Sequence, residues 1–443
     1  MRAIFIVTAT VLGFIQSSVA QCQGESTDIP VLRIPNPLEP DNTVLDSTRA
    51  VTCTKDDLRK SLASKIIVDS PFKVTMTCTG VTNLACAYAK ASIEAALSKI
   101  SKAFDFRKQV SVNAKFRSFC AGRPSGCDLN NVLGQASPAS LYLANRVGEQ
   151  TSVWYPQGLV KQLITTRIVQ FDEYDIFAEF NSDAPFYYPS NPNSAMTKKQ
   201  YDFEYIAAHE LLHGLGFISF WRMYNSDLNP QITKPVFMPP VKCTAAPNIM
   251  DSRCESWFGL SVFDKFLYDS QTNASMFEMG KSITKYTVRN ITFGKLTEAM
   301  SKVSSLSIPM NSALKLVTSE SKLVFQDGNG TVIKLYAPAE FKPSSSISHV
   351  DTDTYKASSD FLMAHDASSK LGVTFKNMIN KPDIVGCLGP NTVQMMNAIG
   401  WPAPDSAPQV LNIQTSLELK SDAAHVFAAQ GFAMLFALIT LIY

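Results

Sequence analysis

The sequence lacks a strong excess of charge of either sign. Its 40 Lys and Arg residues nearly balance its 38 Asp and Glu residues, and the formal net charge is +2. No block of basic residues stands out, so nothing in the composition indicates a nucleic-acid partner. Charged residues make up only 18% of the chain and hydrophobic residues 46%, which is typical of a globular protein with a substantial core.

Pairs of cysteines separated by two residues are also missing. The nine cysteines contain no C-x-x-C pair, so we do not expect a zinc site built from cysteines. Three pairs are close enough in sequence to close small loops as disulfides: Cys78/Cys86, Cys120/Cys127 and Cys243/Cys254. The odd number leaves one thiol that is either free or paired with another chain.

Both ends of the sequence are apolar. Residues 1–20 combine an early arginine, an apolar run and a small-x-small end, which predicts a secretory signal peptide rather than a membrane helix. Residues 426–443 carry no charge and no basic flank, which favours a glycolipid-anchor signal over a retained tail or a buried helix. Three N-x-S/T sequons also favour a secretory route: Asn273, Asn290 and Asn329. We therefore expect a secreted or cell-surface protein, held at the membrane through a C-terminal lipid anchor or tail.

Hydrophobic periodicity predicts a mixture of helices and strands. Residues 84–104 place apolar side chains at helical spacing, whereas residues 109–119 alternate apolar and polar side chains as a strand does. A short strand is expected at 175–182, a helix at 198–218 and a further helical piece at 261–269.

The predicted organisation has four parts. A signal peptide at 1–20 is followed by an N-terminal extension at 21–84. The main domain covers 85–404 and contains a long, loop-rich surface insertion at about 222–343. Residues 405–443 form a linker and a hydrophobic anchor signal.

The segment HELLHGLG, residues 209–216, carries the chemistry. His209 and His213 are four residues apart on the predicted helix, so they lie on one face, about 6 Å apart along its axis. Two imidazoles placed in this way can bind one zinc ion, and Glu210 between them can act as a general base. The chain has only five histidines, so this motif is not expected by chance.

A third zinc ligand is missing from this segment. A longer form of the motif places a third histidine three residues after the glycine, where this chain has Ser219. A catalytic zinc ion needs three protein ligands and one open position, so another part of the chain has to supply the third. The remaining histidines are His349, His365 and His425, of which His425 borders the apolar tail. Taken alone, a histidine in a turn-rich, polar segment is more often a solvated surface residue than a ligand.

Four patches occur in order along the chain: HELLHGLGF, SSSISHVD, DFLMAHD and LGPNTVQMMNAIGW. Together they resemble the metzincin zinc peptidases, and among them the leishmanolysin type, over about residues 105–402. The resemblance implies an α+β, zincin-like fold with a twisted mixed sheet, an active-site helix and a loop-rich C-terminal subdomain. It also implies that an insertion displaces the third ligand to His349, that Met363 lies in a turn beneath the zinc, and that the strand at 175–182 borders the cleft.

The resemblance and the motif imply the same site. His209, His213 and His349 would bind Zn²⁺, with Glu210 as general base in the hydrolysis of peptide bonds. We therefore expect a zinc metalloendopeptidase that acts on protein or peptide substrates. Two departures keep His365 as the other candidate ligand. The gap of 136 residues between His213 and His349 is longer than expected in that family, and His365 stands where the family usually has proline.

Two other functions fit parts of the sequence. A different H-E-x-x-H peptidase class would take a downstream glutamate such as Glu255 as third ligand, but Gly216 and the L-M-A segment disfavour it. A non-catalytic surface or adhesion protein would keep zinc for stability, but such a site needs no base and prefers four protein ligands. Tyr355, which lies between His349 and Met363 in sequence, is a further candidate for assisting the reaction.

Overall fold

The structure is a computed structural model, and the residues it describes are 33–35, 70–121, 132–165, 169, 171–224, 236–244, 251, 253–257, 259–286, 288–302, 304–406 and 409–414. The predicted signal peptide and the apolar C-terminal tail lie outside these residues. Among the helices of the described part, none is long and apolar enough to cross a membrane.

The described residues form strands and helices in mixed order. The strands are β1 (Arg33–Pro35), β2 (Phe72–Thr79), β3 (Val110–Arg117), β4 (Gly134–Pro138), β5 (Ser140–Arg146), β6 (Val153–Pro156), β7 (Ile164–Thr165), β8 (Ile176–Asn181), β9 (Phe186–Tyr187), β10 (Tyr201–Asp202), β11 (Arg222–Tyr224), β12 (Val236–Met238), β13 (Val241–Thr244), β14 (Arg253–Trp257), β15 (Leu267–Asp269), β16 (Ile291–Thr292), β17 (Leu323–Gln326), β18 (Val332–Lys334) and β19 (Val410–Ile413). The α-helices are α1 (Asn83–Ile100), α2 (Gln157–Val160), α3 (Phe203–Gly214), α4 (Met276–Thr284), α5 (Phe293–Lys302), α6 (Ser304–Val317), α7 (Thr352–Tyr355), α8 (Phe375–Met378) and α9 (Pro390–Ile399). The chain is thus mixed α/β, with several small sheets.

A four-stranded mixed sheet supports helix α3. Its strand order is β2-β3-β8-β4. Strands β2, β3 and β8 run parallel to one another, and β4 runs antiparallel to β8. Helices α1 and α3 pack against each other and against this sheet. The strand predicted at 175–182 is β8, but it is paired on both sides, so β4 and not β8 forms this edge of the sheet.

The alternating side chains of β3 explain how the sheet meets the helices. Along β3, buried and half-buried residues alternate without interruption, which is the pattern of a strand with one face on the core. Helix α1 begins where the Thr82 hydroxyl accepts a hydrogen bond from the N–H of Ala85 at 3.2 Å. Its apolar positions, such as Ile93 and Leu97, are buried as the helical spacing predicts.

Cysteine chemistry follows part of the predicted pairing. Cys78 and Cys86 form a disulfide that joins the end of β2 to α1. Cys120 takes part in a disulfide, and so does Cys254. Among the described cysteines, Cys387 is free and buried.

The folded domain extends beyond both predicted boundaries. Strand β2 lies in the predicted N-terminal extension, 21–84, yet it pairs with β3 along its whole length. Strand β19 lies in the predicted linker, 405–443, yet it pairs with β5 and β7. Strand β2 lies at the edge of its sheet and alternates threonines with apolar residues, and β19 is only four residues long. Both therefore carry a weak hydrophobic signal.

The described part of the region at 222–343 is not a loop-rich surface insertion. It contains three helices, α4 to α6, and several short strands. Its buried side chains, among them Phe237, Phe263 and Phe325, belong to the same hydrophobic core as Phe203 and Leu211 of α3. The strands of this region are too short to give a clear sequence period, which is why the region looks irregular in sequence.

The C-terminal helix α9 closes the domain against the end of α3. Gly400 ends α9 with a φ of 127°, in the region that favours glycine. The next residue, Trp401, is buried, and its indole N–H donates a hydrogen bond to the carbonyl oxygen of Leu215 at 2.9 Å. The Gly-Trp end of the fourth sequence patch therefore packs directly behind the histidine-bearing helix.

Candidate metal centre

Helix α3 holds His209 and His213 in a fixed position. The Asp202 carboxylate caps the helix by accepting the N–H of Glu204 at 2.9 Å, and it also accepts the N–H of Phe375 at 2.8 Å. Burial raises the pKa of Asp202 to about 6, and these hydrogen bonds oppose the shift. Helix α3 is buried on nearly all sides, so its position is set by packing rather than by a polar outer face.

Gly216 allows the chain to turn sharply after the second histidine. Its φ is 111°, and a Cβ atom here would lie 2.7 Å from Cγ of Pro156. Glycine is therefore required by both conformation and space. The turn brings the carbonyl oxygen of Phe217 to 2.8 Å from Nδ1 of His213. The glycine of the motif thus shapes the support of a histidine as well as the end of the helix.

Three imidazole rings meet at one point in the described part of the chain. The Nε2–Nε2 distances are 3.1 Å for His209 and His349, 3.3 Å for His209 and His213, and 3.3 Å for His213 and His349. Ligand nitrogens of a tetrahedral zinc ion, at about 2.0–2.1 Å from the metal, lie about 3.3 Å from one another. The spacing of the three nitrogens therefore fits a single tetrahedrally bound ion.

A hydrogen bond at Nδ1 fixes the tautomer of each ring. Every one of the three rings has its Nδ1 within hydrogen-bond distance of a main-chain carbonyl oxygen. The pairs are His209 with Leu362 (2.7 Å), His213 with Phe217 (2.8 Å) and His349 with Ser345 (2.8 Å). Because a carbonyl oxygen can only accept, Nδ1 carries the hydrogen and Nε2 presents its lone pair to the centre. Three converging lone pairs repel one another unless a cation lies between them.

Burial keeps these rings neutral. Loss of hydration lowers the pKa of His209 to about 4 and that of His213 to about 3. The same cause lowers the pKa of His349 well below its usual value, and the neighbouring histidines add to the effect. Neutral imidazole is the form that binds metal ions.

The side chain of Glu210 extends from α3 toward the edge strand β4. A Cβ atom on Gly134 would lie 3.0 Å from Cγ of Glu210, so the strand passes close to this side chain. Burial raises the pKa of Glu210 to about 8, and a hydrogen bond from the N–H of Ala136 opposes the shift. A cation held by the adjacent histidines would favour the ionised carboxylate.

The turn that contains Met363 bonds to His209 and to Val350, the residue that follows His349. Met363 is fully buried in a 3-10 turn, Phe361–Met363. In this turn Leu362 accepts the hydrogen bond from His209, and Met363 accepts one from the N–H of Val350 at 2.9 Å. The turn is therefore connected to the site through the carbonyl oxygens of Leu362 and Met363.

His365 and Tyr355 lie outside the cluster of three rings. His365 has its Nδ1 2.7 Å from Oγ1 of Thr352 and stacks on Tyr336 with ring centroids 3.7 Å apart. The hydroxyl of Tyr355 accepts a hydrogen bond from the N–H of Lys334 at 3.2 Å. Glu255 lies on β14, and His425 lies outside the described residues.

Three polar residues near the site were given no role from the sequence: Ser219, Asp264 and Ser348. Ser219 donates its N–H to Oγ of Ser348 at 3.0 Å and its hydroxyl to Asp264 at 2.6 Å. No motif marks Asp264, which is 45 residues away from Ser219 in sequence. The position of Ser348, directly before His349, was the one available signal.

Comparison with known proteins gives a family but no activity. An uncharacterized protein of Schizosaccharomyces pombe is 24% identical over 303 residues, which are 62% of this chain and 51% of the relative. The chain thus spans about half the length of the curated relative it matches. No solved structure matches the chain. The profile of the SPBPB7E8-like family matches residues 16–421, which is most of the sequence, and the chain therefore belongs to the SPBPB7E8-like family.

Proposed function

We propose that this protein is a zinc-dependent endopeptidase with a zincin-like fold, in which His209, His213 and His349 hold the zinc ion. The observation that carries the proposal is the convergence of the three Nε2 atoms within 3.1–3.3 Å of one another. These rings come from two segments that are 136 residues apart in sequence. The three Nε2 atoms converge on one point, and every Nδ1 is bonded to a carbonyl oxygen. Both features are typical of histidines that bind a metal ion.

The number of ligands favours a catalytic role over a structural one. Structural zinc sites usually have four protein ligands, whereas catalytic sites have three and keep a position for water or substrate. The described residues offer a group of three histidines, without a cysteine or a carboxylate among them. An imidazole donor set suits zinc among the common biological metals, although other transition metals bind it as well.

Glu210 has the place and chemistry of a general base. When bound, zinc would polarise the carbonyl group of a peptide bond and lower the pKa of a water molecule. The Glu210 carboxylate would take the proton of the attacking water and return it to the leaving amine. The N–H of Ala136 holds this carboxylate toward β4.

Strand β4 offers a place for an extended peptide. Within the described sheet it pairs on one side only, with β8. An edge strand can pair with a substrate backbone along its open side, where the N–H of Ala136 already bonds to Glu210. A peptide lying along β4 would pass next to Glu210, which suits cleavage within a chain.

A secreted or cell-surface location agrees with the described features. The sequon asparagines Asn273, Asn290 and Asn329 are all exposed. The Cys78–Cys86 disulfide is typical of an oxidising compartment. We propose that the chain is exported, and the C-terminal lipid anchor stays a prediction from sequence.

Substitution of Glu210 by glutamine tests the catalytic role. The variant keeps all three histidines, so zinc content should stay at the wild-type level while cleavage falls at least about a hundredfold. Glu94→Gln, at a half-exposed position on α1, is the matched control and should cleave normally. The assay measures zinc content and cleavage of a quenched peptide library by the full chain. Wild-type cleavage by Glu210→Gln would exclude Glu210 as the base. Zinc binding without any cleavage by wild type would instead favour a non-catalytic, zinc-stabilised surface protein.

A further inference from the structure

Ser219 occupies the position where the longer zinc motif has its third histidine, and its surroundings are well ordered by hydrogen bonds. The residue is 2% exposed. Its hydroxyl donates to Oδ1 of Asp264 at 2.6 Å. Its N–H donates to Oγ of Ser348 at 3.0 Å, and Ser348 directly precedes His349. The residue therefore links the segment after α3 to the loop that carries the third histidine.

Asp264 fixes this segment from the far side. It is fully buried, and its Oδ2 accepts the N–H of Phe220 at 3.0 Å and the N–H of Ser261 at 2.8 Å. The hydroxyl of Ser261 donates to the carbonyl oxygen of Ile218 at 2.8 Å. Residues 218–220 are thus bonded at several points to the turn at 261–264.

The turn at 261–264 is itself attached to the sheet that contains β6. The N–H of Trp154 donates to the carbonyl oxygen of Leu260 at 3.0 Å, and the N–H of Val262 donates to that of Trp154 at 3.0 Å. Two main-chain bonds, one on each side of Ser261, therefore connect the turn that carries Asp264 to a strand. This gives the carboxylate a rigid base from which to hold Ser219.

The loop before His349 needs such support because its backbone is strained. Ser344 and Ile347 have φ values of 62° and 75°. For a β-branched residue such as Ile347 this region is a genuine outlier, and it persists only where the surroundings impose it. The N–H of Ile347 donates to the carbonyl oxygen of Tyr336 at 3.0 Å, and the N–H of Tyr336 to that of His349 at 2.8 Å.

We propose that Asp264, acting through Ser219 and Ser348, positions His349 for metal binding, an inference that rests on the zinc site of the proposed function. In this arrangement Ser219, at the position where the longer motif has a histidine, supports the loop that carries His349. Asp264 and Ser219 are positioning residues, because Asp264 is outside the group of possible metal ligands and Ser219 is connected to His349 through Ser348.

Loss of this support should weaken zinc binding. Ser348→Ala removes the acceptor and leaves the Ser219 N–H buried without its partner, while Ser219→Ala removes the bond to Asp264. Substitution of a residue that holds a metal ligand in place typically lowers metal affinity by about 10–100-fold. Because Ser348 is one residue away from the ligand, we expect a decrease of about tenfold. Ser348→Thr keeps a hydroxyl and should bind zinc nearly as tightly as wild type.

The experiment measures the Zn²⁺ dissociation constant of the full chain by competition with a chelator, together with the melting temperature of the metal-free protein. Ser140→Ala is the matched control, since Ser140 is 1% exposed and its hydroxyl also donates to an aspartate, Asp172, on elements that carry no ligand. The proposal predicts weaker zinc binding by Ser348→Ala and Ser219→Ala, and unchanged binding by Ser348→Thr and Ser140→Ala.

Separate results count against the two proposals. Wild-type affinity in both Ser348→Ala and Ser219→Ala, in a protein that binds zinc, would overturn the positioning role alone. Equal weakening in Ser140→Ala would overturn it as well, because the effect would then be a general loss of stability. A wild-type protein that binds no zinc would overturn the proposed function itself.

Discussion

His349→Ala is the substitution that most sharply tests the composition of the metal centre. His349 is 6% exposed, and its Nε2 lies 3.1 Å and 3.3 Å from those of His209 and His213. The alanine variant leaves two nitrogen donors on α3 and removes the donor that comes from the distant loop. Zinc bound to two histidines alone is held much more weakly than zinc bound to three.

The size of the effect follows from the number of ligands. Apparent free energies of zinc binding to sites with four protein ligands are about 10–16 kcal/mol, so one ligand contributes about 2.5–4 kcal/mol. A loss of this size corresponds to a decrease of about two to three orders of magnitude in affinity. At low micromolar protein concentration after dialysis, the variant should therefore contain far less zinc than wild type.

His365→Ala is the matched control. The His365 ring lies 6.4 Å from the His349 ring, and its Nδ1 is bonded to Thr352. Its removal takes away a stacking partner of Tyr336 but no member of the three-ring cluster, so zinc affinity should stay close to the wild-type value. The assay is elemental analysis of dialysed protein combined with chelator competition. Retention of wild-type affinity by His349→Ala, or an equal loss in His365→Ala, would refute the assignment of the third ligand.

Three further predictions concern stability and modification. Gly216→Ala places a Cβ 2.7 Å from Pro156 Cγ at a φ of 111°. The free energy of unfolding, measured in denaturant, should therefore fall by at least about 2 kcal/mol. A fall below about 0.5 kcal/mol would show that the turn adapts. A chelator should lower the melting temperature of wild type and added Zn²⁺ should restore it, because a ligand that binds only the folded state stabilises it; an unchanged melting temperature would count against a bound metal. Protein purified from a secretory host should carry glycans on exposed sequon asparagines, and peptide mass mapping that finds every one of them unmodified would contradict the proposed export. These asparagines are Asn273, Asn290 and Asn329.

Elements with a local period were predicted well from the sequence. The helix predicted at 84–104 is α1, Asn83–Ile100, and the strand predicted at 109–119 is β3, Val110–Arg117. The helix with the H-E-x-x-H motif, predicted at 198–218, is α3, Phe203–Gly214, and is shorter than predicted at both ends. In α1 and β3 one face packs on the core, so burial leaves a period of 3.6 or 2 in the sequence.

Elements that depend on distant partners were not predicted. Strand β2 is recognisable only by its pairing with β3, and the helical piece expected at 261–269 is a short 3-10 turn followed by β15. The sequence shows no sign that Asp264 meets Ser219, because their contact depends on how the region at 222–343 folds back. Register and long-range pairing are properties of the whole domain and leave little local trace.

The sequence predicted some residues of the candidate site better than others. The spacing of His209 and His213 alone places both on one helix face. The choice of His349 over His365 came from resemblance and not from spacing, since both lie in polar, turn-rich segments. The carbonyl oxygens that orient the three rings were not predictable, because main-chain acceptors carry no side-chain signature.

X-ray absorption at the zinc edge, on the full chain purified without chelators, tests the central claim most directly. The three-histidine centre predicts one zinc ion per chain, with three imidazole nitrogens at about 2.0–2.1 Å and an oxygen in the remaining position. Absence of bound zinc, a shell with sulfur ligands, or a shell with fewer than three imidazoles would contradict it.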